Sequence, residues 1–205
     1  MIIRLYPREL ARDYVTIPAA GTGQQPFLLR DGPGRRHLYH ANTAGKLILR
    51  RWDGADANPV DVTIDSNAGC STPHFEQLQS WTLEGVYARD SVARLARSKD
   101  RGSHWTLATI PGTYTATTSV TSLGRRVLLG YRSSQWYVKV GELGSDGVTF
   151  SWCAEVSLGL TNPQGQGHLA ARRDGALEFV YLDTDSVWQI TVCRGLGKDG
   201  VGTWA

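Results

Sequence analysis

A chain of 205 residues, 41% hydrophobic and 20% charged, is long enough to bury a sizeable core and has the balance of an ordinary globular domain. A net charge of +3 is too weak to specify nucleic acid, and the arginine pairs Arg35–Arg36, Arg50–Arg51, Arg125–Arg126 and Arg172–Arg173 are spread rather than massed. Three cysteines without a C-x-x-C spacing signal neither a zinc site nor a disulfide framework, and no apolar run approaches a membrane span.

Residues 1–25 stand apart from the rest. MIIRLYPREL is too short and too charged to read as a signal peptide, RELARDY has one or two turns of helical pattern, and MIIRLY and DYVTIP are β-prone. From residue 26 onward alternation dominates. A first unit is expected to use FLLRDG, RRHLYH, KLILRRW and VDVTID, and a second EQLQSW, LEGVYAR, VARLAR and WTLATI. A third would use TSVTSL, RRVLLGY, WYVKVGEL and TFSWCAEV, and a fourth HLAARR, ALEFVYL, VWQITVC and a short GTWA. Turns such as Asp31-Gly32, Asp53-Gly54, Asp146-Gly147 and Asp174-Gly175 punctuate them.

These units are repeats. Tyr39, Tyr87, Tyr131 and Tyr181 are separated by 48, 44 and 50 residues, and each ends a strand-like run. A second strand follows each tyrosine and runs into Asp53, Asp100, Asp146 or Asp199. Four short strands in 45 to 50 residues make one propeller blade, so the fold class is all-β, a small β-propeller of about four four-stranded blades over residues 26–205. A truncated fourth blade leaves an unpaired edge, which residues 1–25 are expected to complete as a closing strand; an arm docked on a neighbouring subunit is the alternative.

The octet SKDRGSHW resembles the Asp-box, or BNR repeat, of the sialidase-like superfamily (Ser-x-Asp-x-Gly-x-Thr-Trp) at Ser98, Asp100, Gly102 and Trp105. Decayed copies keep Asp146, Gly147, Thr149 and Phe150 in one repeat and Asp199, Thr203 and Trp204 in another. The resemblance implies that these octets form the turn between third and fourth strands, on the face opposite the ligand, with a structural rather than catalytic role. The residue types suit that role: the aspartate accepts turn N–H groups, the glycine takes a positive φ and the tryptophan covers the blade. Sialidases, as the family's best-known enzymes, would bring an arginine triad, a tyrosine–glutamate nucleophile and an aspartate acid/base. No spacing here selects such a set from Arg30, Arg89 and Arg132, and Asp183 with Glu76 is an unsupported carboxylate pair.

Function is therefore sought on the other face, in the connectors AAGTGQQPF, SNAGCSTPHFEQ, PGTYTATTS and LTNPQGQGH and in the turns after the tyrosines. The candidate binding residues are His74, Glu76, Tyr114, Gln164, His168, Arg132 and Asp183, whose amide, hydroxyl and aromatic neighbours suit sugar hydroxyls or a protein surface. No catalytic residue, metal or cofactor is expected. The sequence reads as a non-enzymatic module recognising glycan or protein, with self-association or assembly into a larger complex and no nucleic acid or membrane partner. A virion component such as a phage tail or fibre part, or an extracellular surface protein, is the expected setting. The alternatives are a sialidase-like glycoside hydrolase and a cellular lectin.

Overall fold

The computed structural model describes residues 26–30, 35–53, 58–78, 81–145 and 149–205, which form four antiparallel sheets. Blade 1 consists of β1 (Phe27–Arg30), β2 (Arg36–Ala41), β3 (Leu47–Trp52) and β4 (Val60–Asp65), paired in that order. Blade 2 consists of β5 (Cys70–Gln77), β6 (Leu83–Arg89), β7 (Val92–Ser98) and β8 (Thr106–Thr113). Blade 3 consists of β9 (Ala116–Ser122), β10 (Arg125–Arg132), β11 (Gln135–Leu143) and β12 (Phe150–Trp152), with β13 (Val156–Ser157) also paired to β11. Blade 4 consists of β14 (Pro163–Ala171), β15 (Leu177–Asp183), β16 (Trp188–Arg194) and β17 (Thr203–Trp204).

Every blade is thus built from consecutive strands, and the fourth carries its own outer strand, β17. The expected closing strand, residues 1–25, lies outside the described residues. The hairpins close with local chemistry. Asn42 accepts the N–H groups of Ala44 and Lys46 between β2 and β3. Asp90–Ser91 and Ser133–Ser134 take left-handed φ values of 50° and 62°, and 47° and 59°, as a two-residue hairpin turn requires when both central residues have positive φ.

Three apolar seams join the blades. Tyr39, Leu47 and Leu49 of blade 1 meet Phe75, Tyr87 and Ala96 of blade 2, with Tyr39 stacked on Phe75 at 4.0 Å. Trp136, Leu129 and Val138 of blade 3 meet Leu169, Phe179 and Tyr181 of blade 4. The middle seam, between blades 2 and 3, is smaller and holds Val86, Leu95, Ile110, Tyr114 and Leu128. The repeat tyrosines therefore alternate. Tyr39 and Tyr131 point to the following blade, and Tyr87 and Tyr181 to the preceding one.

The inner strands begin earlier than the sequence pattern suggests. β5, β9 and β14 start at Cys70, Ala116 and Pro163, inside segments that read as connectors. The reason is steric. Inner strands converge at the axis, where small and polar residues fit and a β-rich signature does not develop. A Cβ on Gly167 of β14 would lie 2.6 Å from the Phe179 ring and 3.2 Å from Trp136.

Candidate functional site

The Asp-box turn joins β7 to β8, third to fourth strand, as the resemblance implies. Asp100 accepts the Ser98 hydroxyl at 2.8 Å and the His104 N–H at 2.9 Å, while Gly102 N–H donates to Ser98 Oγ at 2.8 Å. Trp105 Nε1 donates to the Gly102 carbonyl at 3.0 Å, and its ring packs edge-on against Tyr39 and Phe75 across the blade 1–2 seam. Gly102 has φ 88°, and a Cβ there would meet Leu49 at 2.6 Å. The hydrogen bonds to His104 and Ser98 hold the Asp100 carboxyl far below the usual carboxylate value. In blade 4, Asp199 accepts the Val201 N–H at 3.1 Å and Trp204 packs on the blade 3–4 seam. Thr203 opens β17. In blade 3, the Thr149 carbonyl accepts Gly144 N–H at 2.7 Å and Phe150 stacks on Trp152. Asp146 and Gly147 lie outside the described residues.

The opposite face gathers the blade connectors and the turns after the tyrosines, stitched by backbone bonds such as Tyr114 N–H to Ser91 O and Thr184 N–H to Asn162 O. Asp65, on the connector side of blade 1, is the main buried anion there. It accepts the Tyr87 hydroxyl at 2.6 Å, Arg89 at 2.7 Å and Asn67 through both backbone and side chain. Burial pulls its carboxyl upward, but those donors outweigh it and leave it below the usual value. Burial with the same Asp65 bond and charge pushes the Tyr87 phenol well up, so it stays protonated.

The candidate residues disperse over several environments. His74 and His168 lie on the inner strands at the axis, rings 6.5 Å apart. His74 Nδ1 accepts the Ser119 N–H at 2.9 Å and its ring meets Phe27 edge-on at 4.5 Å. Burial, with His168 and Arg126 nearby, lowers it to about 3, so the ring is neutral. The cleft that these histidines share with Thr72, Thr117 and Thr118 holds only about 20 Å³, roughly one water.

Glu76 leaves the axis towards the Asp-box side. It accepts the Thr121 hydroxyl at 2.6 Å and pairs with Arg126, which also grips Glu84; Arg97 lies 3.2 Å from the second Glu84 oxygen. Arg126 and Glu84 are each 1% exposed, forming a buried ion network in the middle seam. Asp183 sits at the opposite end, in the β15–β16 turn, capping Asp185 and Val187 N–H and taking the Gln189 amide at 2.8 Å. Glu76 and Asp183 thus lie at opposite ends of their blades.

Tyr114 is buried beneath Gly112 and Gly130, and burial followed by the nearby Glu155 carboxylate pushes its phenol well up. Arg132 reaches the connector face, paired to Glu155 at 2.8 Å and lying over the Tyr137 ring at 4.7 Å. Gln164 contributes its backbone carbonyl, which accepts Trp136 Nε1 at 2.9 Å. The ion network around Arg126 escapes the sequence reading, although Glu84 interrupts the apolar run of LEGVYAR with an inward charge. A larger cavity, about 350 Å³, opens on the Asp-box side between blades 3 and 4, among Ser122, Arg125, Asp174, Leu177, Arg194 and Leu196. Burial pushes the Cys70 and Cys193 thiols up to about 11, which leaves both unreactive.

No protein-family model and no curated protein matches the sequence. Solved structures do match the fold. A phage phi92 endosialidase shares 11% identity over 72% of this chain and 28% of its own, with a TM-score of 0.55. A family-43 glycoside hydrolase of Bacillus licheniformis shares 10% over 88% of this chain and 40% of its own, with a TM-score of 0.57. The fold is that of the β-propeller glycosidases. An exo-1,5-α-L-arabinanase from a bovine ruminal metagenomic library shares 12% over 90% of this chain and 79% of its own, at 0.52. The chain spans less than half the length of the endosialidase and of the Bacillus enzyme.

Proposed function

We propose that this chain is a non-enzymatic recognition module on the glycosidase propeller fold, holding a glycan or a partner-protein surface against its connector face. The state of the carboxylates carries the reading. Glycoside hydrolysis generally needs one carboxyl group that keeps its proton near neutral pH, facing an ionised carboxylate or, in sialidases, a tyrosine–glutamate pair. Here Asp61, Asp65, Asp100 and Asp183 are all held below the ordinary carboxylate value by donated hydrogen bonds and cations. Glu76, Glu84 and Glu155 are each engaged by an arginine. The axis is closed by neutral histidine and threonine.

What the connector face offers instead is hydrogen bonding. Arg132, fixed by Glu155 below and the Tyr137 ring beside it, is preorganised to donate to sugar hydroxyls, a carboxylate or a peptide carbonyl. A place on a virion, as a tail or fibre-associated part, agrees with the phage endosialidase among the similar folds. Glycan-array binding by the full chain tests the reading together with hydrolysis assays on sialylated, arabinan and xylan substrates. Expected are binding without product release and an affinity about tenfold lower for Arg132→Ala. The second reading, a sialidase-like glycoside hydrolase, is favoured by the endosialidase and family-43 likeness. Sugar release abolished in Glu76→Gln or Asp183→Asn would establish it and overturn the first.

A further inference from the structure

At the Asp-box end of their seam, blades 3 and 4 part to leave the cavity of about 350 Å³, a volume at the lower end of the range for small-molecule sites. Val127, Val140 and Leu177 form its apolar floor, and Leu196 lines it from the segment after β16. The walls also carry charge. Arg125 opens β10 and alternates with Val127 and Leu129, so its side chain turns the same way, towards blade 4. Its ion pair with Glu142, at 3.3 Å, joins two partly exposed groups and is weak. Asp174, in the β14–β15 turn, accepts Ala176 N–H at 3.1 Å and stands 3.6 Å from Arg172. Those charges offset one another. Arg194 lines the cavity from blade 4 and makes no ion pair among the described residues, which leaves the balance cationic.

Leu123 marks the mouth. With Gly124 it makes the two-residue turn between β9 and β10, at φ 50° and 75°. The β6–β7 and β10–β11 turns fill the same conformation with Asp90–Ser91 and Ser133–Ser134, which are small and polar. Leu123 is 79% exposed, and a leucine in the left-handed region is unfavourable in backbone as well as in hydration. Folding does not explain the choice, because asparagine suits this turn better. Leu123 instead leans across the lip. Its methyl groups would lie 3.4 Å from a Cβ on Gly175 of blade 4, and Ser122 Oγ donates to the Gly175 carbonyl at 3.4 Å. Backbone strain of this kind gathers at ligand sites.

We propose that this cavity binds a compact organic carboxylate, its apolar body held between Leu123 and the floor and its charge by Arg125 and Arg194. The walls select that chemistry. An inorganic anion would leave the apolar floor uncovered, and a neutral apolar molecule would leave Arg194 without a partner. The site faces away from the connectors, so the inference does not depend on the glycan reading.

Titration of the full chain with naphthoate, naphthamide and inorganic phosphate, followed by ligand-observed magnetic resonance, tests it. Naphthoate should bind with a Kd of about 1 mM or tighter. Naphthamide lacks the charge and phosphate lacks the apolar body, so each should bind at least about tenfold more weakly. The double variant Arg125→Gln/Arg194→Gln should weaken naphthoate by about tenfold. Leu123→Asn should weaken it by about fivefold while raising Tm by about 2 °C, because the turn is relieved as the lip is lost. No naphthoate binding at about 10 mM, equal affinity for naphthamide or phosphate, or unchanged affinity in either variant would each overturn the proposal.

Discussion

Replacing Arg126 with methionine should unfold the molecule at a markedly lower temperature. The side chain is 1% exposed, donates from Nε to Glu84 Oε1 at 3.0 Å, and reaches both Glu84 and Glu76 with its terminal nitrogens. Methionine fills much of the volume and supplies no charge, so two carboxylates lose their cation in a buried seam. Stripping one partner from a buried pair costs about 3–5 kcal/mol. Here the loss falls at the lower end, about 3 kcal/mol, because two partners remain. Glu84 keeps Arg97 at 3.2 Å and Glu76 keeps the Thr121 hydroxyl at 2.6 Å. For a chain of this size that corresponds to a fall of roughly 6–12 °C in Tm. Urea and thermal unfolding of Arg126→Met, Glu84→Met and the double variant would measure it. The double variant removes the orphaned charge as well, so it should cost less than the two single changes together by about 2 kcal/mol. A single-variant cost below about 1 kcal/mol, or strict additivity, would show that the network does not hold the seam.

Acid should destabilise the fold through His74. Its folded-state value, about 3, lies below the 6.5 of a free histidine, so its contribution is complete above pH 6.5 and is lost as pH falls towards 3. His74→Gln should flatten the stability–pH slope in that window by up to about 1.4 kcal/mol per pH unit, and an unchanged slope would remove His74 from the account. Gly167→Ala should lower stability by about 1–3 kcal/mol, because the new methyl meets the Phe179 ring; equal melting temperatures would mean the β14–β15 approach is looser than described. Asp100→Ala should cost about 1–2 kcal/mol by freeing the His104 N–H and Ser98 hydroxyl, with ligand binding untouched. Lost binding at full stability would move the functional face to the Asp-box side.

The four-fold repeat, the order of strands and the Asp-box turn at β7–β8 were all readable in the chain, because aromatic and β-branched alternation survives wherever a strand packs between blades. The inner strands were not. STPHFEQ and PQGQGH look like loops, since serine, threonine, glycine and glutamine replace the usual pattern there, and Gly165 and Gly167 lie against the Tyr131, Phe179 and Trp136 rings. His74, Glu76, Gln164 and His168 were accordingly sought on connectors and are found on β5 and β14. Even the tyrosine spacing concealed something. A slip of one residue turns a strand over, and that parity decides whether Tyr87 or Tyr131 faces the blade before or the blade after. Arg132 reached the expected face because a hairpin end constrains its position more tightly than a strand interior does.

The alternation of those tyrosines has a consequence for how the molecule comes apart. Blades 1 and 2 share one aromatic core and blades 3 and 4 another, while the smaller apolar seam between the halves is bordered by the Arg126–Glu84 pair, the Lys139 bond to the Pro111 carbonyl and the Thr117 and Thr118 hydroxyls. Acid, which protonates carboxylates, acts on a seam bordered by ion pairs and leaves an aromatic one alone, whereas salt screens a buried pair little. The two aromatic cores thus join the four blades two by two. Hydrogen exchange under mild acid is expected to find two cooperative units of unfolding, one for each pair of blades.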